Sequence, residues 1–240
     1  MKTWAKKLGL INIASSTVME REWGLMLDET FSFHIARLSL PEGASTSSAL
    51  REMLASTQLE IASAQLAEAE VDIICFGCTV GSLLGGVGWD QELIDRIERV
   101  SGIQATTTAT EVVRAFQAVD AKTLAVATPY LEDMNQLEKI FFESKGFKVL
   151  TISGLQLGTD IEIGQQVPKD VASLVREVHT PEADCIFISC TNFRSFEIIE
   201  LLEREFDVPV ISSIQASLWG SLNRVGLTQV CNGVGTLMRL

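Results

Sequence analysis

Val71-Asp72-Ile73-Ile74-Cys75-Phe76-Gly77-Cys78-Thr79 is one of two copies of a short pattern. The second copy, 112 positions later, reads Ala183-Asp184-Cys185-Ile186-Phe187-Ile188-Ser189-Cys190-Thr191. Asp, Ile, Cys and Thr recur at matching offsets. Each copy is an apolar run closed by Cys-Thr, the pattern of a strand buried on both faces of a parallel sheet. Ligands in such sheets collect at the carboxyl ends of the strands. Two thiols at two such ends are placed to face one small molecule from opposite sides.

Outward from these strands the chain alternates. Leu8-Gly9-Leu10-Ile11-Asn12-Ile13 reads as a first strand, and Ala14-Ser15-Ser16-Thr17 as a polar turn suited to capping the next helix. Phe31 to Leu40 reads as extended, ending at Pro41-Glu42-Gly43. Ser47 to Glu70 reads as one long helix, and Gln91 to Val100 as another stopped by Gly102. A helix from about Ala109 to Val119 follows. Then come a strand at Thr123–Thr128, a helix from Asp133 to Lys145 and a strand at Phe147–Ile152. Beyond the Pro168–His179 helix and the second Cys-Thr strand lie a helix at Phe196–Phe206, a strand at Val208–Ser212 and a helix at Ser217–Val225.

Strand-helix alternation of this kind implies a mostly parallel sheet. Gly9–Ser16 resembles Thr123–Tyr130, and Ile103–Thr110 resembles Val208–Gln215, so the duplication extends beyond the cysteines. The expected fold is α/β, with two pseudo-two-fold-related Rossmann-like (flavodoxin-like) halves and a ligand cleft between them. Residues 1–118 would form the N-terminal half, re-entered at about 213–240, and residues 119–212 the C-terminal half.

The chain has 240 residues, 47% of them hydrophobic and 21% charged, enough for a sizeable core. A net charge of −12 excludes the basic footprint of a nucleic-acid binder and means that any anion site must be built locally. The uncharged run from Ile73 to Trp89 contains five glycines and reads as strand then loop, not as a membrane span. The basic start Met1-Lys2-Thr3-Trp4-Ala5-Lys6-Lys7 lacks a cleavage site and leads into a strand, not a signal peptide. Five cysteines without a disulfide framework point to a reducing cytoplasm.

A thiolate is a nucleophile or a base. Two opposed thiols allow racemisation, or addition to an activated double bond that then rotates as a single bond. The competing reading is a pair of inert core cysteines. Thr79-Val80-Gly81-Ser82 and Thr191-Asn192-Phe193-Arg194-Ser195 offer hydroxyls and N–H groups where anions bind. Arg194 could ease thiolate formation or simply face solvent. Cys75 and Cys78 form a Cys-x-x-Cys, but Cys75 lies inside the strand and no second such pair exists, so a redox or metal role is disfavoured. His179 reads as a helix-end residue and His34 as a core, interface or cleft residue. Gly85-Gly86-Val87-Gly88 lacks the lysine of a phosphate loop and reads as a flexible cover for the site.

These residues resemble the maleate cis-trans isomerase and arylmalonate decarboxylase group of the aspartate/glutamate racemase superfamily. The resemblance runs over nearly the whole chain and is most specific at three stretches. They are Cys78-Thr79-Val80-Gly81-Ser82, Ala125-Val126-Ala127-Thr128-Pro129-Tyr130 with Asn135, and Ser189-Cys190-Thr191-Asn192-Phe193-Arg194. Gly9-Leu10-Ile11 with Ser15, Thr17, Met19 and Glu20 is similar to the group's opening motif, and Glu162-Ile163-Gly164 to another landmark.

The resemblance implies cofactor-independent chemistry on a small carboxylic acid, of which maleate-to-fumarate isomerisation is the reference case. The decarboxylases keep only the second cysteine, so the presence of both favours an isomerase. Carried over, Cys78 adds to the double bond, Cys190 serves the proton step and Tyr130 holds a carboxylate. Thr79, Thr191 and Asn192 flank the acid, and a homodimer or higher homo-oligomer is expected. Ser16 and Asp160 stand where the group carries carboxylate-binding asparagines. An ionised Asp160 would repel a carboxylate and suit a neutral or cationic group, unless it faces away. A two-cysteine racemase of an amino acid, hydantoin or related α-acidic acid is the alternative, and a non-catalytic acid-binding protein a third reading.

Overall fold

The computed structural model describes residues 6–227, 231 and 233–240. Residues 1–5, the basic start read as leading into the first strand, lie outside them, as do residues 228–230 and 232 of the expected return segment.

Among the described residues the strands form two four-stranded sheets, every pair parallel. The first contains β1 (Lys6–Ile13), β2 (Phe31–Leu38), β3 (Ile73–Gly77) and β4 (Ala105–Thr107) in the order β2-β1-β3-β4. The second contains β5 (Thr123–Thr128), β6 (Lys148–Gly154), β7 (Cys185–Ile188) and β8 (Val210–Ser212) in the order β6-β5-β7-β8. The two orders are the same once renumbered, and they match the doubly wound flavodoxin-like arrangement. The Cys-Thr strands β3 and β7 are therefore equivalent inner strands. Their residues are fully buried, as the apolar runs require. Cys78 and Cys190 follow the carboxyl ends of these two strands.

The first helices are α1 (Val18–Met26), α2 (Ser47–Ala55), α3 (Gln58–Glu68), α4 (Thr79–Leu83), α5 (Trp89–Ser101) and α6 (Thr108–Ala118). They are followed by α7 (Glu132–Ser144), α8 (Asp160–Gly164), α9 (Pro168–Val178), α10 (Ile199–Phe206) and α11 (Ser213–Arg224). The expected Ser47–Glu70 helix is two helices. Ser56 is extended (φ −81°, ψ 174°), and its hydroxyl donates to Met53 O at 2.6 Å while accepting from Gln58 N at 3.3 Å. A serine that satisfies the backbone locally competes with the helix. The Ile73–Trp89 loop is also shorter than expected, because residues 79–83 are helical.

The two sheets interlock through exchanged contacts. α11, which follows the second sheet, packs on α6, β3 and α1. α6, which follows the first, sends Phe116 edge-on to Phe142, Phe147 and Phe187 of the second, with ring centroids 5.2–5.3 Å apart. Edge-to-face clusters of this kind add to the burial free energy of each ring.

Glu138, on α7, is fully buried among these elements. It accepts from Ser189 Oγ at 2.6 Å, and its other oxygen has no partner among the described residues. Burial pushes its carboxyl up to about 8, against the smaller opposing effect of Ser189. A carboxyl raised in the folded state stabilises fully below its unfolded value, and the contribution is lost as pH rises through the folded value. We expect Glu138→Gln to flatten the pH dependence of stability. Urea midpoints should fall less between about pH 5 and about pH 8 in this variant than in the wild type.

Candidate active site

Cys78, Thr79, Val80, Cys190, Thr191, Tyr130 and Asp160 line one narrow cavity of about 20 Å³ with Ile13, Leu40, Ser45 and Leu50. That is room for about one water molecule, so the cavity is nearly closed and must widen to take up a small molecule. Six of the eight site residues expected from sequence thus lie on one wall set. The other two, Ser16 and Asn192, stand behind it.

The cysteines are almost closed off, 8% and 7% exposed. Cys78 is extended and precedes α4, where the Gly81 N–H reaches its sulfur. A Cβ on Gly81 would lie 2.8 Å from Cys78 Sγ, so only glycine allows this approach. Cys190 has φ +96°, a conformation that side chains rarely adopt, and such strain collects at functional sites. Its sulfur accepts from Asn192 N at 3.3 Å, and its own N–H donates to Ser213 Oγ at 3.1 Å. The Tyr130 hydroxyl lies within hydrogen-bonding reach of the Cys190 sulfur.

Both thiols are neutral in this closed arrangement. Burial pushes Cys78 up to about 12, and the Asp160 carboxylate adds to the rise against the Gly81 N–H. Burial also raises Cys190, with Asp160 next in importance and Cys78 a smaller contributor. Both cysteines line the same cavity. Burial likewise lifts the Tyr130 phenol, so it remains a hydrogen-bond donor.

Asp160 does not face away. It begins α8, held by a capping box between Thr159 and Glu162. Ser15 Oγ donates to its Oδ2 at 2.7 Å, and burial raises its carboxyl against the Ser15 and Asn192 hydrogen bonds.

The remaining expected residues play parts that the sequence did not disclose. Asn192 is a strut across the two sheets. Its Oδ1 accepts from Thr17 N at 3.0 Å and Val18 N at 3.2 Å, capping α1 in place of the Ser/Thr turn, and its Nδ2 donates to Asp160 O at 2.7 Å. Thr79 Oγ1 donates to Ser213 Oγ at 2.9 Å and Thr191 Oγ1 to Gly77 O at 3.1 Å, so both hydroxyl protons stitch the cavity floor. Ser16 Oγ is buried without a partner among the described residues. Arg194 pairs with Glu197 at 2.7 Å, not with a thiol.

Three contributors went unread. Ser213 ties Thr79 to the Cys190 backbone from the start of α11; the capping-box pair Ser212 and Gln215 is the signal that places a helix start there. Glu22 accepts from Ser195 N, Ser195 Oγ and Phe196 N at 2.8–3.1 Å, pinning the loop that follows Cys190. The cover over the cavity is the segment from Leu40 to Thr46, tied down by Ser45 N to Gly158 O at 2.9 Å and an Ala44–Thr159 bridge. The glycine run expected to cover the site instead carries Trp89, whose Nε1 donates to Gly81 O at 2.9 Å. A side chain on Gly85 would collide with the Trp89 ring, which explains the glycine by close packing. Cys75 is buried in β3 and pushed up to about 12 by burial, outside the cavity. His34 contacts Ser32 on β2, and His179 stacks on Phe206 at 4.0 Å.

No helix among the described residues is long and apolar enough to cross a membrane. Maleate isomerases from Nocardia farcinica and Pseudomonas putida are 28% and 23% identical over 98% and 97% of this chain, and 96% of each of theirs. A solved structure superposes with a TM-score of 0.92 at 24% identity, covering 98% of both chains. It is a cysteine-to-serine mutant of the Nocardia farcinica maleate cis-trans isomerase with a covalently bound succinylcysteine intermediate. Residues 29–238, from the approach to β2 almost to the last residue, match the arylmalonate decarboxylase family, and the chain belongs to that family.

Proposed function

We propose that this protein is a cofactor-independent cis-trans isomerase of a small unsaturated acid of the maleate type, with Cys78 as nucleophile and Cys190 as proton partner. The observation that carries the reading is the convergence of two thiols from equivalent strands on one narrow cavity. Relatives that are maleate isomerases, one trapped as a succinylcysteine, support the same chemistry.

Cys78 gives up its proton to solvent as the acid enters, and its sulfur adds to one alkene carbon. The displaced electron pair delocalises onto the carboxyl group at the other carbon, and Cys190 delivers its proton there. The product is a saturated thioether whose central C–C bond rotates. Cys190 then takes the proton back, the pair re-forms the double bond, and the C–S bond breaks to release the trans acid. The enclosed cavity positions the reacting atoms, which is where much of the acceleration arises. Tyr130, held neutral, donates to a carboxylate that gains charge during addition.

The Gly81 N–H stabilises the Cys78 thiolate, but burial leaves little thiolate in the closed cavity. Opening of the Leu40–Thr46 cover therefore belongs to the cycle, admitting the acid and letting the proton leave. Proton NMR of purified protein with maleate and no additive tests the reading. Conversion of the cis to the trans vinyl signal is expected. Exchange of the α-hydrogen of saturated acids in deuterium oxide, without alkene conversion, would instead support a racemase. Cytoplasmic residence and a homodimer complete the proposal; light scattering checks the second.

A further inference from the structure

We propose that the cavity wall formed by Asp160 selects a half-amide: a cis-alkene acid with a carboxylate at one end and a carboxamide at the other. The proposal rests on the isomerase reading and names the substrate class of the same site.

Asp160 lines the cavity beside both cysteines, and no Lys, Arg or His is among the lining residues. Nearby basic groups are committed elsewhere. Arg37 reaches Ser16 O and Glu20, and Arg194 is held by Glu197. The carboxylate cannot swing aside easily, because Ser15 holds Oδ2 and Asn192 holds the main-chain oxygen of the same residue. A dianion would thus place one carboxylate against another in an enclosed space with no counter-charge. Like charges in a poorly solvated site are strongly unfavourable. A carboxamide at that end removes the repulsion and supplies two N–H donors to an acceptor-only group. The opposite end keeps its carboxylate for the Tyr130 hydroxyl. The net charge of −12 also gives no long-range attraction for a dianion.

The test compares maleate, its monoamide and its monomethyl ester by proton NMR, in wild type and Asp160→Asn. Calorimetry with the saturated pair succinate and succinic monoamide reads binding without chemistry. We expect wild-type kcat/KM for the monoamide to exceed that for maleate by at least roughly tenfold, with the ester, which lacks N–H donors, below the monoamide. Asp160→Asn should move the monoamide-to-maleate ratio toward maleate by a similar factor. A wild-type preference for maleate, or an unchanged ratio in Asp160→Asn, overturns the proposal. Such results would also follow if Asp160 were protonated and donating to a second carboxylate. If no alkene is converted but the saturated monoamide still binds more tightly in an Asp160-dependent way, the isomerase reading falls and the specificity stands. If the saturated pair shows no Asp160-dependent difference, the specificity falls.

Discussion

Cys78→Ala should lower turnover of a cis-alkene acid by about 10³-fold or more and abolish any covalent adduct. The alanine fills most of the thiol's space, so the fold should survive with a small cavity penalty. Cys190→Ser should also lose turnover, by about 10²–10⁴-fold, but for a different reason. In the serine variant water can supply the proton that completes addition of Cys78, whereas release of the product requires a base positioned to take that proton back. The serine variant should therefore retain adduct formation and fail at elimination. Because the two residues serve one reaction, the double variant should be no worse than Cys78→Ala alone. Progress curves for the four proteins with the same acid, paired with intact-protein mass spectrometry, separate these cases. If both single variants lose only a few-fold, the thiols are not the reacting groups.

Gly154→Ala should combine a stability loss with a catalytic one. Gly154 ends β6, paired with Thr128 at the end of β5, directly behind the turn that carries Tyr130. A Cβ there would run into the Tyr130 carbonyl oxygen and lie 2.7 Å from Thr128 Oγ1 and 2.9 Å from Asn135 Nδ2. The first obstacle is backbone, so no rotamer change relieves it. Thr128 Oγ1 already donates to Asn135 Oδ1 at 2.6 Å and accepts from Tyr130 N at 3.2 Å, so the whole turn must shift. Overpacking of this kind costs about 1–3 kcal/mol or more. A displaced Tyr130 hydroxyl should reduce kcat/KM by about 10²-fold, the order expected for misplacement by an ångström. Gly158→Ala is the control, because a Cβ there meets nothing within 4 Å. Urea unfolding and initial rates on both variants read the two effects separately. Equal behaviour of the two would remove the steric account of Gly154.

The parts of this architecture that were readable in the sequence were those governed by local pattern. The buried apolar runs ending in Cys-Thr located β3 and β7, and their repetition located the two-fold arrangement and the meeting of Cys78 with Cys190. Gly102 stopped α5 because the chain there turns left-handed, at φ +68°. Most of what escaped was set by partners distant in sequence, the break at Ser56 being the local exception. Ser56 broke a helix that its apolar spacing supported. Asn192, a polar residue in a promising loop, spends its side chain on Thr17 and Val18, which are 174–175 positions away. Glu22 sits on a helix in the pattern of an ordinary surface carboxylate. Yet it is almost fully buried, and burial pushes it up to about 7 against three hydrogen bonds from Ser195 and Phe196. The cover at Leu40–Thr46 showed only its Pro41–Gly43 turn, and its docking on Gly158 and Thr159 depends on the second sheet. Pairwise contacts between the halves are invisible to periodicity, and these are the contacts that close the cavity.

In the proposed reaction Cys78 forms a carbon–sulfur bond with an unsaturated acid and Cys190 governs the proton. Peptide-mapped mass spectrometry of Cys190→Ser, incubated with maleate or its monoamide and quenched in acid, tests it most directly. A mass increase of one whole acid molecule is expected on the peptide containing Cys78 and on no other. An unmodified Cys78 in a variant that still binds the acid, or an adduct on Cys75, Cys185 or Cys231 instead, would contradict it.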